Sequence, residues 1–180
     1  MIAAKKGASM DNCGTSESRP EWEALKSIVL IGNYLPRLCG IATFTTHLLE
    51  SIALNAPDKA CWAVAMNDRP QGYSYPSQVR LEINQDQPNE YSRAADLLNL
   101  DQVDVICLEH EYGIFGGKRG SFIVELLRAL KMPVVTTLHT ILKDPSPQDR
   151  NILMQLAELS DRLVVMSERS AEFLHEIYRV

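Results

Sequence analysis

Val103-Asp-Val-Ile-Cys-Leu-Glu-His-Glu-Tyr-Gly-Ile-Phe-Gly-Gly117 begins as a strand and ends as a chemically loaded loop. Val103, Val105, Ile106, Cys107 and Leu108 form a short apolar run of the kind buried on both faces of a parallel sheet. Glu109, His110, Glu111 and Tyr112 follow in a row, with glycines at Gly113, Gly116 and Gly117. In an open parallel sheet, ligands bind beyond the carboxyl ends of the strands. Acid, imidazole, acid, phenol and permissive glycines at such an end read as a site.

The same alternation extends in both directions. Upstream, Ser27–Gly32 is a buried strand, and Asn33–Gly40 is a loop. Ile41, Phe44, Thr45, Leu48 and Ile52 then recur at helical spacing over 41–54. Strands are expected at Cys61–Met66 and Val79–Ile83, joined by a surface loop, Asp68–Pro76, that reads as a lip over the site. A helix is expected at Asn89–Leu100. Downstream come a helix at Ser121–Lys131, a strand at Pro133–Leu138 running into His139-Thr140, and a helix opened by Ser146-Pro147 with Asp149 three residues on. A strand at Arg162–Met166 and a helix capped by Ser167 finish the pattern. Strands alternating with helices specify an α/β, doubly wound, mainly parallel, Rossmann-like sheet. Residues 1–24, rich in Ser, Gly, Lys and Glu without period, read as a flexible tail, leaving 25–180 as the domain. The chain stops where a further strand would begin, so it reads as a fragment.

Composition narrows the classes. The 180 residues are 46% hydrophobic, enough for a real core. A net charge of −5 argues against nucleic-acid binding through the bulk surface. The cysteines (Cys13, Cys39, Cys61, Cys107) form no CxxC, which predicts reduced thiols and no metal ribbon. No apolar run reaches the ~18 residues of a membrane span. No signal peptide is recognisable either, so the expected location is cytoplasmic.

The candidate sites sit at strand ends. The loop after the first strand lacks GxGxxG, because Gly32 is followed only by Gly40; this removes most of the case for a nicotinamide or flavin enzyme. Gly40 precedes a helix. It either admits a ligand to the free N–H groups there or only eases the turn. Gly113–Arg119 fails as a P-loop, leaving Lys118 and Arg119 as a solvated helix start, with gripping an anionic ligand as the lesser alternative. His110 and His139 end two strands that a right-handed crossover places near each other, where they could hydrogen-bond sugar hydroxyls or a developing charge. A zinc pair completed by Glu109 or Glu111 is the competing reading, although no HExxH spacing exists. Glu109 and Glu111 are two residues apart, so a persisting strand points both the same way; they read as a general acid/base pair or, in preference, as one acid that structures the loop and one that faces the cleft.

Four of these stretches together resemble family 4 glycosyltransferases with the GT-B fold. Asn33-Tyr-Leu-Pro-Arg-Leu-Cys-Gly-Ile-Ala-Thr-Phe-Thr45 is similar to their glycine loop and helix. Glu109-His-Glu-Tyr-Gly-Ile-Phe-Gly-Gly117 is similar to their H-E motif. Val134-Val-Thr-Thr-Leu-His-Thr140 resembles the strand ending in the active-site histidine, and Arg162-Leu-Val-Val-Met-Ser-Glu168 the strand that closes the N-terminal domain. They occur in the family's order across residues 27 to about 170. Cys39-Gly40 stands where the family has a glycine pair.

The resemblance implies the N-terminal, acceptor-side domain of a retaining hexosyltransferase. Its donor is a nucleotide-diphosphate sugar, its acceptor a small molecule, glycan or lipid, and no cofactor or metal is needed. Gly40 and Ile41 would approach the donor diphosphate. His139 would bind the transferred sugar near the reacting carbon and is the catalytic candidate. His110, Glu111, Tyr112 and Gly113 would line the sugar or acceptor pocket. The family's C-terminal domain, with its basic donor-binding residues and EX7E motif, is missing, so the chain alone is expected to be inactive. The alternative is a stand-alone α/β ligand-binding or regulatory module.

Overall fold

The computed structural model of the protein describes residues 2–4 and 21–180. Among the described residues, seven strands form one sheet: β1 (Ile2–Ala4), β2 (Ser27–Gly32), β3 (Ala60–Asn67), β4 (Val79–Asn84), β5 (Val105–His110), β6 (Val134–Leu138) and β7 (Arg162–Val165). Six α-helices among the described residues accompany them: α1 (Glu21–Ala24), α2 (Gly40–Asn55), α3 (Pro88–Leu100), α4 (Phe122–Ala129), α5 (Pro147–Leu159) and α6 (Glu168–Glu176). The sheet order is β1-β7-β6-β5-β2-β3-β4. The six strands from β2 to β7 are parallel. The chain therefore winds outward from β2 through β3 to β4, crosses back along α3, and winds outward again from β5. This is the doubly wound, Rossmann-like arrangement, and its direction reverses between β2 and β5.

The apolar runs are strands because both faces are covered. Along β2, Val29 and Ile31 enter the larger core cluster, while Leu30 joins a smaller one with Leu49 of α2. All three are fully buried. Consecutive residues thus serve opposite faces, as the pleat requires. Tyr91, Ala94 and Leu98 of α3 and Ile123, Leu126 and Leu127 of α4 close over the larger cluster. No helix among the described residues is long and apolar enough to cross a membrane.

Most expected elements lie within two residues of their observed limits. Two differences have identifiable causes. β5 starts at Val105, because the Asp104 carboxylate accepts hydrogen bonds from the Lys26 and Ser27 amides at 2.7 and 2.8 Å and joins the starts of β2 and β5. The bond from the Lys26 amide is the main reason the Asp104 pKa is lowered. α4 is shorter at both ends than expected. Gly117, Arg119 and Gly120 take positive φ before it. After it, the Asn99 amide donates to Ala129 O at 2.9 Å and its oxygen accepts from Lys131 N at 3.0 Å.

The tail expected over residues 1–24 includes two short described elements. Ile2–Ala4 pairs antiparallel with Arg162–Val164, and Glu21–Ala24 is a short helix. An apolar segment completes the open edge of β7, where backbone donors and acceptors would otherwise be unpaired. Residues 1 and 5–20 of that expectation lie outside the described residues, as does Cys13. Cys39, Cys61 and Cys107 are free thiols.

Candidate functional site

The loop after β2 is built by its own polar groups. Arg37 donates to Asn33 Oδ1 at 2.9 Å and to the Met66 carbonyl at 3.1 Å, and its other terminal nitrogen pairs with Asp68 at 3.3 Å. Leu35 N donates to Thr46 Oγ1 at 3.2 Å. Cys39 takes the N-cap of α2: its Sγ accepts from Ala42 N at 3.3 Å and from Asn33 Nδ2 at 3.2 Å. The cysteine at this position thus serves as the helix cap. The Gly40 and Ile41 amides have no partner among the described residues. They are orphans of the first helical turn, at its positive end. No atom from elsewhere in the chain lies within 4 Å of where a Gly40 Cβ would stand, and Gly40 is exposed.

One helical turn on, Phe44 meets the His139 ring edge-on, with centroids 4.7 Å apart. Nε2 of His139 lies 2.9 Å from Glu109 Oε2. Glu109 is fully buried and is flanked by Gly32 and by Thr45 of α2. The parallel register sets Glu109 beside Thr137, so His139, two residues further, returns to the same face. Gly40, Phe44, Gly32, Glu109 and His139 therefore converge on the α2 side of the β2–β5 reversal point.

His110 goes the other way. It is 1% exposed and packs within the core, stacked on Phe115 at 5.8 Å and edge-on to Tyr112 at 5.2 Å. Both ring nitrogens lack a hydrogen-bond partner among the described residues. Burial, and secondarily His139, pushes its pKa down to about 3. The two imidazoles are joined through backbone, His139 N–H donating to His110 O at 3.0 Å. Sequence reasoning placed them near each other but missed that the strand separates their side chains.

Glu111 turns back toward β6, where its carboxylate accepts from Thr140 Oγ1 at 2.6 Å and from Tyr112 N at 2.7 Å. Tyr112 is half-buried. Burial first, then the neighbouring Tyr178 phenol, raises its pKa. Gly113 has φ of +91° and an open flank. Gly116 and Gly117 are structural: a Cβ on Gly116 would stand 1.7 Å from the Gln85 carbonyl oxygen. Arg119 does not face solvent unpaired; it bonds Asp149 of α5 and lies 5.7 Å over the Tyr112 ring.

The loop expected as a lip lies toward the β3–β4 end of the sheet. Its residues border a hollow of about 430 Å³ lined by Tyr34, Thr46, Glu50 and Tyr75, and one of about 310 Å³ at the ends of β3 and β4. His139 lines neither. Tyr75 is held there by donating to Asn67 Oδ1 at 2.8 Å, and Arg69 stacks on Tyr73. Among the described residues, no group of three or more His, Cys, Asp or Glu side chains is placed to hold a metal ion. Phe44 is the participant that sequence reasoning left out of the site; Glu109 was read there as a candidate acid, without its pairing to His139. Phe44 was read as part of the helix's apolar stripe, which gives no sign of a partner some 95 residues away.

No protein-family model matches this chain, and no curated protein does. Solved structures match in fold. One is an alpha-glucosyltransferase in complex with UDP and a 13-mer DNA containing a central A:G mismatch; it aligns at 15% identity over 78% of this chain and 39% of its own, with a TM-score of 0.51. A homoserine dehydrogenase from S. aureus aligns at 18% identity over 78% of this chain and 32% of its own, with a TM-score of 0.44, too low to carry an argument. The chain thus spans about two-fifths of the length of the glucosyltransferase. What the two share is the α/β, Rossmann-like fold.

Proposed function

We propose that this domain is the acceptor-side half of a retaining hexosyltransferase of the GT-B type, family 4, using a nucleotide-diphosphate sugar. The observation that carries this reading is the pair of unpartnered amides at exposed Gly40 and half-buried Ile41, one helical turn from the Phe44–His139–Glu109 cluster. A helix N-terminus with free amides suits a diphosphate. A histidine one turn away suits the sugar attached to it. The alpha-glucosyltransferase that shares the fold was solved with UDP, which fits a nucleotide-sugar donor.

On this reading, Gly40 lets the donor diphosphate reach the amides, and His139 orients the transferred hexose. Glu111, Tyr112 and Gly113 border the acceptor side. His110 supports that border from within, as a neutral aromatic in the core. The departing phosphate oxygen takes the acceptor's proton, so the domain needs no nucleophile of its own. A second domain supplies the basic groups that hold the rest of the donor, and the 180-residue chain alone does not turn over.

The test is hexosyl transfer from UDP- and GDP-hexoses, by this chain alone and by a form extended with a second Rossmann-like domain. Activity confined to the extended form supports the reading. Robust transfer by the chain alone overturns the half-enzyme assignment. Activity in neither, with saturable ligand binding by the chain alone, favours a stand-alone binding module.

A further inference from the structure

Glu109 is a fully buried carboxylate with a hydrogen bond from His139 on Oε2 and no partner among the described residues on Oε1. A buried acid without a full set of partners is costly, so its retention asks for a reason. Its position is tightly determined. The β5–β6 register sets it beside Thr137, Gly32 lies against its Cβ, and Thr45 of α2 closes the same side. His139 is held just as firmly, by its backbone bond to His110 O and by the edge contact with Phe44.

We propose that Glu109 is a positioning residue that fixes the tautomer of His139. A carboxylate only accepts, so the neutral imidazole must carry its proton on Nε2, the nitrogen facing Glu109. Nδ1 is then left with its lone pair and has no partner among the described residues. His139 therefore offers a ligand an acceptor, and the group it meets is a donor. If the hexosyl-transfer reading holds, that group is a hydroxyl of the sugar and not a phosphate oxygen, which could only accept. Glu109 thereby decides which part of a sugar nucleotide His139 binds, without touching the ligand.

The experiment is two-bond nitrogen–proton NMR correlation on the whole chain with nitrogen-15 histidine, at a pH where the ring is neutral. His139→Gln assigns the signals among the four histidines. The expected result is a single Nε2–H tautomer for His139, with a slowly exchanging, strongly deshielded Nε2 proton. In Glu109→Gln, the carboxamide can donate or accept, so that proton moves upfield, exchanges faster, and the other tautomer appears. An Nδ1–H tautomer in the unsubstituted chain overturns the proposal, as does an unchanged His139 pattern in a folded Glu109→Gln. If Glu109→Gln does not fold, the tautomer of the unsubstituted chain still decides. Hexosyl transfer is measured separately, on the form extended with a second Rossmann-like domain. Its absence would count against the transferase reading and leave the tautomer result standing.

Discussion

Gly32 lies so close to Glu109 that a Cβ at position 32 would stand 3.0 Å from the Glu109 Cβ and 3.2 Å from Thr45 Oγ1. The last residue of β2 is therefore small to make room for the acid at the end of β5. Gly32→Ala forces one of these neighbours to shift. It should cost about 1–3 kcal/mol in urea unfolding and should disturb the His139 signals in NMR. Unchanged stability together with unchanged His139 signals would show that Glu109 has more room than the geometry allows.

Gly40 makes the opposite case. Its flank is open, so Gly40→Ala should leave stability within about 0.5 kcal/mol. If a diphosphate approaches this backbone, the added methyl obstructs it. Sugar-nucleotide affinity in the active form should then fall by roughly tenfold or more, ~1.4 kcal/mol. Urea unfolding checks the first half and calorimetric titration the second. Full affinity in Gly40→Ala would remove the glycine from the donor site and leave it as a helix-start residue.

The glycine loop after β5 is anchored through Tyr91. Gly116 N donates to the Tyr91 hydroxyl at 2.9 Å, and that hydroxyl donates to the Gln85 carbonyl at 2.9 Å. Burial pushes the Tyr91 phenol up to about 12, so it stays protonated and can serve both partners. Tyr91→Phe should cost about 1–3 kcal/mol by stranding buried polar groups. Gly116→Ala, which puts a methyl into the Gln85 carbonyl, should cost more than Tyr91→Phe. Urea midpoints of the two variants, measured side by side, test the ranking.

His110 makes the fold acid-sensitive. Its pKa is held at about 3, against an ordinary 6.5, chiefly by burial. Below pH 6.5 the unfolded chain binds a proton that the folded chain refuses until about pH 3. The contribution is whole above pH 6.5 and is lost as pH falls between those limits, by at most about 1.4 kcal/mol per pH unit. His110→Phe keeps the stack on Phe115 and has nothing to protonate. The difference in unfolding free energy between His110→Phe and the unsubstituted chain should therefore grow as pH drops through this window. Taking the difference removes the carboxylates Asp104 and Asp149, whose lowered pKa values act on both proteins alike. A pH-independent difference would place the ring in contact with water.

The order of strands and helices was legible because it is written locally. Buried parallel strands are short apolar runs, helices carry a stripe every three or four residues, and Ser146-Pro147 or Ser167 marks a start whatever the rest of the chain does. Gly40 at a helix start and His139 at a strand end could be placed for the same reason. The pairings at the site could not. Glu109 and His110 are adjacent in sequence, yet the pleat sends one toward His139 and the other into the core against Phe115. Which goes where depends on which face α2 covers. The 2.9 Å contact between Glu109 and His139 depends on the β5–β6 register, and the Phe44 edge on how α2 lies across the sheet. These are relations between segments tens of residues apart, and only packing the layers together decides them.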